Sequence, residues 1–210
     1  ILRLLEFGAS LKGLRLQSFG YGPSHDSLST NPYLESVVTE QLRAELLTWI
    51  DENWDPEISV KEWWRRLSNA GLSNPTLGEP FGRGWDRSNT RLLASAIRER
   101  GAVGSPAGLG MMLAAPTILS FGTEEQINRY VPRILDGTDS WCQLFSEPGA
   151  GSDLAGLQTK AVRDGDEWVI TGQKVWTSEG QHADWGMLIA RTDLDAPKHR
   201  GISWFAFPMA

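Results

Sequence analysis

"WCQLFSEPGAGSDLAGLQTKAVRDGDEWVITGQKVWTS", Trp141 to Ser178, decides the fold of this chain. Its pieces "WCQLFS", "TKAVR", "EWVITG" and "KVWTS" are short, rich in Val, Ile and Trp, and separated by turn residues, which is how strands read. "DGD", Asp164 to Asp166, is a hairpin signal between two of them. The first two strands flank "FSEPGAGSDLAG", Phe145 to Gly156, a polar segment with three glycines, a proline, two serines and two carboxylates. Residue chemistry leaves three readings of it open: a phosphate cradle, a carboxylate site or a plain turn.

Downstream, "GMLIAR" and "ISWFAF" continue the strand texture. Upstream the texture is helical. Asn31 and Pro32 offer a cap and a first-turn proline, after which Val37, Val38, Leu42, Leu46, Trp49 and Ile50 fall on one stripe. Ser59 and Glu62 have capping-box spacing, with Gly71 placed to stop that helix. Arg91 to Arg100 reads as a helix ended by Gly101, and Thr123 with Gln126 forms a second capping box ahead of a helix that ends near "DGTD". Helices first and strands afterwards predict an α+β chain, not alternating βαβ units. The expected division is a helical domain over 31–139 and a β domain over 140–210, with 1–30 uninterpretable.

At 210 residues, 40% hydrophobic and with ten tryptophans, the chain has ample material for a packed core. A formal charge of −6 supplies no basic footprint for nucleic acid or an anionic membrane. The most apolar stretch, Ala102 to Leu119, is interrupted by Gly104, Pro106, Gly108, Gly110 and Pro116, so no membrane span is expected. Cys142 is the only cysteine, which excludes an internal disulfide and agrees with a reducing compartment, the cytoplasm by default.

The candidate groups each have a plain structural reading. Gly149-x-Gly151 is not a dinucleotide fingerprint, because Leu154 stands where the third glycine belongs and no periodic helix follows. The glycines suit an anion-binding concavity with Ser146 and Ser152 as donors, or a surface turn. Glu147 and Asp153 suit an acid/base pair less well than capping and hydrogen bonding. Trp176 and Ser178, two apart on an expected strand, share a face that suits a planar ligand or the core. His25, His182 and His199 lack metal-ligand spacing, and "DAPKHRG" reads as a loop with a weaker claim on phosphate.

Taken together, "FGTEEQINRYVPRILDG", "CQLFSEPGAGSDLAGLQTKAVRDGDEWVITGQKVWTS" and "ADWGMLIARTDLDAPKHRGISWF" resemble the acyl-CoA dehydrogenase family. The resemblance runs from about Ser36 to the end and is densest after Phe121. "KVWTS", "HADWG" and "DAPKHRGIS" are most similar to bacterial members that act on branched, aromatic or steroid-derived thioesters. It implies a helical domain followed by an antiparallel β-barrel or sandwich, and FAD as cofactor. Gln143, Leu144, Phe145 and Ser146 would run beside the flavin ring, and Gly151 and Ser152 would meet the pyrophosphate, with Ser152 also near the pantetheine arm of the acyl-CoA substrate. Trp176 would pack on a flavin face, Thr177 would continue that contact, and Ser178 would lie near N5.

The implied reaction removes an α-proton with a glutamate while hydride leaves the β-carbon, giving a trans-2-enoyl-CoA. Electrons then pass to an electron-transfer flavoprotein, and the enzyme is a homo- or hetero-oligomer. The resemblance places the catalytic glutamate beyond Ala210, so no catalytic residue is assigned within the chain. Two further readings stand beside the dehydrogenase: a non-catalytic flavin- or acyl-CoA-binding subunit of a hetero-oligomer, and a flavin-dependent oxidase or monooxygenase of the same fold.

Overall fold

The computed structural model describes residues Leu5–Glu6 and 32–209. Asn31, the side chains of Val37 and Val38, and His25 lie outside the described residues, as does most of the segment 1–30. By their contacts the described residues form two compact units: 32–106 with 135–138, and 107–134 with 139–209.

In the helical unit, α1 spans Pro32–Asn53, α2 Val60–Asn69 and α3 Arg87–Glu99. The Ser59 hydroxyl accepts the Glu62 amide at 3.1 Å, but the Glu62 carboxylate turns to Arg65 and Arg66, so only half of the expected capping box forms. Helix α3 starts four residues earlier than expected because the Asp86 carboxylate accepts the Asn89 amide and caps it there. Leu46 and Ile50 of α1 pack with Trp63 and Leu67 of α2 and with Leu93, Ala96 and Ile97 of α3. Trp63 is the centre: Trp49 and Trp54 lie 5.6 and 5.1 Å from its ring, and its indole N–H donates to the Val103 carbonyl at 2.6 Å. A buried indole needs such an acceptor.

The second unit begins with a π-helical turn, Gly110–Ala114, that runs into α4, Ala115–Phe121. This helix has no counterpart in the sequence reading. Pro116 follows the π-helical turn at the start of this helix, and Gly110 lets Trp141 approach: a Cβ there would lie 3.2 Å from the indole. Helix α5, Glu124–Leu135, opens with a complete capping box in which Thr123 and Gln126 exchange hydrogen bonds at 2.8 and 3.3 Å.

Strands β1 (Leu5–Glu6), β2 (Trp141–Leu144), β3 (Lys160–Asp164), β4 (Glu167–Thr171), β5 (Trp185–Arg191) and β6 (Ile202–Pro208) form one sheet. Apart from β1, which precedes α1 and pairs with β6, the expected order of helices before strands holds. The sheet, however, is mixed and open among the described residues, where an antiparallel barrel or sandwich was expected: β5 pairs antiparallel with β6 but parallel with β2 and β3. Five consecutive β5 residues are buried, as in a strand covered on both faces. On one face Tyr130 of α5 meets Trp141 and Trp185 edge-on, and Trp141 stacks with Trp185 and Trp204. On the other, Trp168 of β4 packs 5.4 Å from Phe205 of β6. A flat sheet would hold those strands about 14 Å apart at ~4.8 Å per strand, so the sheet curls back on itself.

"KVWTS" is not a strand. Residues 172–177 carry no ladder, and Trp176 has a φ of +59°, which no strand residue adopts. Trp176 and Ser178 therefore do not share a sheet face, contrary to the sequence reading. Among the described residues no helix is long and apolar enough to cross a membrane.

The turn after α5 generates a stability prediction within the helical unit. Gly137 has a φ of +69°, and a Cβ on it would lie 2.4 Å from Trp64 Cε3. Gly137→Ala combines left-handed strain with overpacking and is expected to cost about 1–3 kcal/mol, read from the urea midpoint of the two proteins.

Candidate functional site

The site grows from an irregularity in the sheet. Strands β2 and β3 lie on the same edge of β5: β2 pairs along Trp185–Leu188, while β3 touches it only at Lys160 opposite Arg191. The chain between them, 145–159, leaves the sheet as an excursion. It folds first at a tight turn in which Glu147 and Ala150 exchange backbone hydrogen bonds at 3.0 and 3.1 Å. A 3-10 turn, Leu154–Gly156, follows and is pinned by Arg191, whose guanidinium donates to the Ala155 carbonyl at 2.7 Å. Ala150 and Leu157 bury with Ile189, and Phe145 and Leu154 pack against them. The apolar underside is thus fixed to β5.

The upper side is polar and open. Pro148, Gly149, Gly151, Ser152 and Asp153 are exposed. Gly149 and Gly151 do not have a positive φ, and a Cβ on either would meet nothing within 4 Å. Neither the backbone conformation nor the packing within the chain therefore calls for glycine at these positions, and an incoming group finds bare backbone there. Among the described residues the Gly151 and Ser152 amides donate to no chain oxygen.

Glu147 is the hub beneath this surface. Its carboxylate accepts the Gln158 amide at 2.6 Å, the Thr159 amide at 3.0 Å and the Lys174 ammonium at 2.8 Å. The Lys174 and Glu147 side chains are only 7% and 6% exposed. Lys174 also donates to the Phe145 carbonyl at 3.1 Å, and the Val175 amide donates to the Ser146 carbonyl at 2.9 Å. Burial alone would raise the Glu147 pKa, but Lys174 and the two amides hold it down to about 2. Burial lowers the Lys174 pKa despite its partner. Glu147 is thus held ionised down to about pH 2 and serves the chain as an anchor, in line with the reading of a structural carboxylate.

Of the residues singled out in the sequence, Gln143 and Leu144 lie in β2; Leu144 packs toward Phe205, and a Cβ on Gly186 would lie 2.4 Å from its Cδ1. Phe145 is committed to the underside of the excursion. Ser146 is joined to Val175, so the 143–147 and 174–178 segments meet. Trp176 stands in solvent, 90% exposed, on its left-handed backbone; a core reading of this indole is excluded. Thr177 is half-buried and its carbonyl accepts the Gly180 amide at 3.2 Å, while Ser178 is exposed. Asp153 pairs at the surface with Lys198 of "DAPKHRG", so neither is an uncommitted charge. No group of His, Cys, Asp and Glu among the described residues can hold a metal. Lys174 was missed in the sequence; the only signal was a lysine set between turn and apolar residues two positions before Trp176.

The residues present fit a flat, anionic cofactor. An uncovered indole and a glycine turn without intrachain need stand on two segments joined through Val175–Ser146 and Lys174–Glu147, and bare amides offer donors to a phosphate.

Comparison with known proteins agrees with this architecture. Residues 33–138 match the family model for the acyl-CoA dehydrogenase N-terminal domain, and residues 142–210 match that for the middle domain. The chain belongs to the acyl-CoA dehydrogenase family. It is 50% identical over 143 residues to acyl-CoA dehydrogenase FadE34 of Mycobacterium tuberculosis, covering 68% of this chain and 20% of that one. It is 36% identical over 190 residues to acyl-CoA dehydrogenase IpdE1 of the same organism, covering 81% and 49%. Among solved structures, the ChsE4-ChsE5 complex from Mycobacterium tuberculosis matches with a TM-score of 0.61 at 34% identity, over 87% of this chain and 48% of that one. The Tcur3481-Tcur3483 steroid ACAD matches with a TM-score of 0.59 at 34% identity, over 85% and 48%. The chain thus spans half or less of the length of these relatives.

Removing the hub carboxylate strands a buried ammonium and two amides. Glu147→Ala is expected to cost about 3–5 kcal/mol in denaturant unfolding. Because the folded-state pKa of Glu147 is depressed to about 2, its contribution is fully present above its ordinary pKa of 4.5 and is lost as pH falls toward 2. In Glu147→Gln the stability measured between those two pH values should therefore fall less steeply than in the parent.

Proposed function

We propose that this chain carries the FAD- and acyl-CoA-binding portion of an enzyme that dehydrogenates acyl-CoA thioesters between Cα and Cβ and passes electrons to an electron-transfer flavoprotein. One observation carries the reading: the Glu147–Lys174 junction joins the glycine excursion to the segment that ends in an uncovered, left-handed Trp176. Relatives named acyl-CoA dehydrogenase support it.

In this reading the backbone from Gln143 to Ser146 borders the flavin ring, and Ser146 offers its hydroxyl to the pyrimidine end. Gly151 and Ser152 present amides to the pyrophosphate, and Ser152 also meets the pantetheine arm of the substrate. Trp176 covers one face of the ring, Thr177 extends that contact, and Ser178 directs its hydroxyl toward N5. FAD, when bound, supplies the hydride acceptor. The chain's own residues bind, orient and exclude water, and they hold the polar groups in place before the charge of the reaction develops. No residue of this chain is assigned to proton removal. We propose the domain division at 139/140 and, from the single buried Cys142, a cytoplasmic setting.

The two solved relatives also support a substrate class and an assembly. One is titled a steroid ACAD, and the other is a complex of two named chains. We therefore propose a steroid-derived thioester and a hetero-oligomer.

The test uses the full natural protein. Purified with its neighbours, it should bind FAD, and anaerobic mixing with steroid-derived acyl-CoA should bleach the flavin. A protein that refuses added FAD overturns the reading, and rapid return of the flavin colour on admitting air, with hydrogen peroxide formed, points to an oxidase. Trp176→Asn gives a second test. Asparagine tolerates φ near +60° and the indole buries almost nothing, so the variant should gain about 0.5–1 kcal/mol of stability while losing FAD affinity. Opposite signs in the unfolding midpoint and the FAD titration mark a residue kept for a ligand.

A further inference from the structure

We infer that the buried Glu147–Lys174 pair is the positioning device of this site, holding Trp176 in its left-handed conformation and thereby setting where the indole stands relative to the glycine excursion. The purpose assigned to the device rests on the flavin reading above; its mechanical part does not.

A tryptophan at a φ of +59° is an outlier for a bulky residue, and such conformations persist only where their surroundings over-determine them. The indole itself contributes no such restraint, because it is 90% exposed. The restraint comes from the chain on either side. On the C-terminal side, the Thr177 carbonyl accepts the Gly180 amide, and the Glu179 carbonyl accepts the His182 and Ala183 amides. On the N-terminal side, a series of hydrogen bonds leads back to the centre of the sheet. The Arg191 amide of β5 donates to the Thr159 carbonyl at 2.8 Å. The Thr159 amide donates to Glu147 Oε1 at 3.0 Å, and Lys174 Nζ donates to the same oxygen at 2.8 Å. Lys174 is two residues from Trp176, and Val175 between them is tied to Ser146. A close backbone approach reinforces the alignment: a Cβ on Gly172 would lie 2.6 Å from Thr159 Cα.

A pair kept only for stability has no need of charge in this place. Replacing a buried ion pair by uncharged groups of similar shape is often neutral or stabilising, so stability alone does not account for the charges here. Lys174 satisfies this account by a specific arrangement: one ammonium bridges the Glu147 carboxylate and the Phe145 carbonyl, so it fixes the turn to the segment after β4.

The experiment compares the full-length protein with its Glu147→Gln/Lys174→Met double variant, which removes both charges and leaves an amide oxygen for Gln158 and Thr159. Three readouts are taken: the denaturant midpoint, hydrogen exchange of a peptide covering 172–178, and FAD affinity with the shape of the flavin absorption band. The double variant should unfold cooperatively near the parent midpoint, yet exchange this peptide about tenfold faster. It should also bind FAD about tenfold more weakly with an altered band, because the indole is no longer pre-placed. Parent-like exchange overturns the device, and faster exchange with unchanged FAD affinity and band overturns its role in cofactor placement. Failure of the parent itself to bind FAD would sink the flavin reading, while exchange would still decide the mechanical claim. Should the double variant not fold, Glu147→Gln/Lys174→Gln, which also removes both charges but keeps a donor for the Phe145 carbonyl, is read by the same criteria.

Discussion

Two opposite charges sealed from water, Glu147 and Lys174, determine how the second unit is tied together. Neither is stable alone in that place. The carboxylate needs the Gln158 and Thr159 amides as well as the ammonium, and the ammonium needs the Phe145 carbonyl as well as the carboxylate. The excursion after β2, the start of β3 and the segment after β4 must therefore meet at one point, or a buried charge is left without a partner. The net contribution of such a pair to stability is modest, but the penalty for breaking it is large, and that asymmetry makes it a specifier of geometry.

The sheet explains why the meeting point exists. Because β2 and β3 share one edge of β5, the fifteen residues 145–159 are surplus to the ladder and must be accommodated above it. Their apolar members, Phe145, Ala150, Leu154 and Leu157, turn down onto Ile189, and Gly149, Gly151 and Ser152 are left on the outside. Strand β4 then delivers the next segment to the same place, since Thr171 stands opposite Lys160 at the start of β3. An exposed polar surface results from strand order.

Much of this was legible in the sequence, and the misses have physical causes. The Thr123–Gln126 box, the Ser59 cap and the Asp164–Asp166 hairpin were readable because each depends on residues within four positions of one another. The turn-plus-helix from Gly110 to Phe121 was not, because its glycine and proline look like breakers until Trp141 is known to pack on Gly110. "KVWTS" read as a strand on β propensity, but the Lys174 tether and the left-handed Trp176 remove it from any ladder, so tertiary context overrode propensity. Likewise, the resemblance implied an antiparallel barrel or sandwich, while the parallel pairing of β2 and β3 with β5 is a choice of neighbour that no local pattern encodes.

What the sequence by itself determined is the order of helices and strands, the caps that start them and the polar glycine segment set among strands, together with motifs dense enough to mark the family. Only the tertiary structure decided that Glu147 is an anchor, that Lys174 belongs to the site, and that Trp176 faces solvent. Local pattern reports interactions between near neighbours, governed by backbone sterics and nearby hydrogen bonds. Glu147 and Lys174 are 27 residues apart, and their charges acquire a shared fate only where folding removes the water between them.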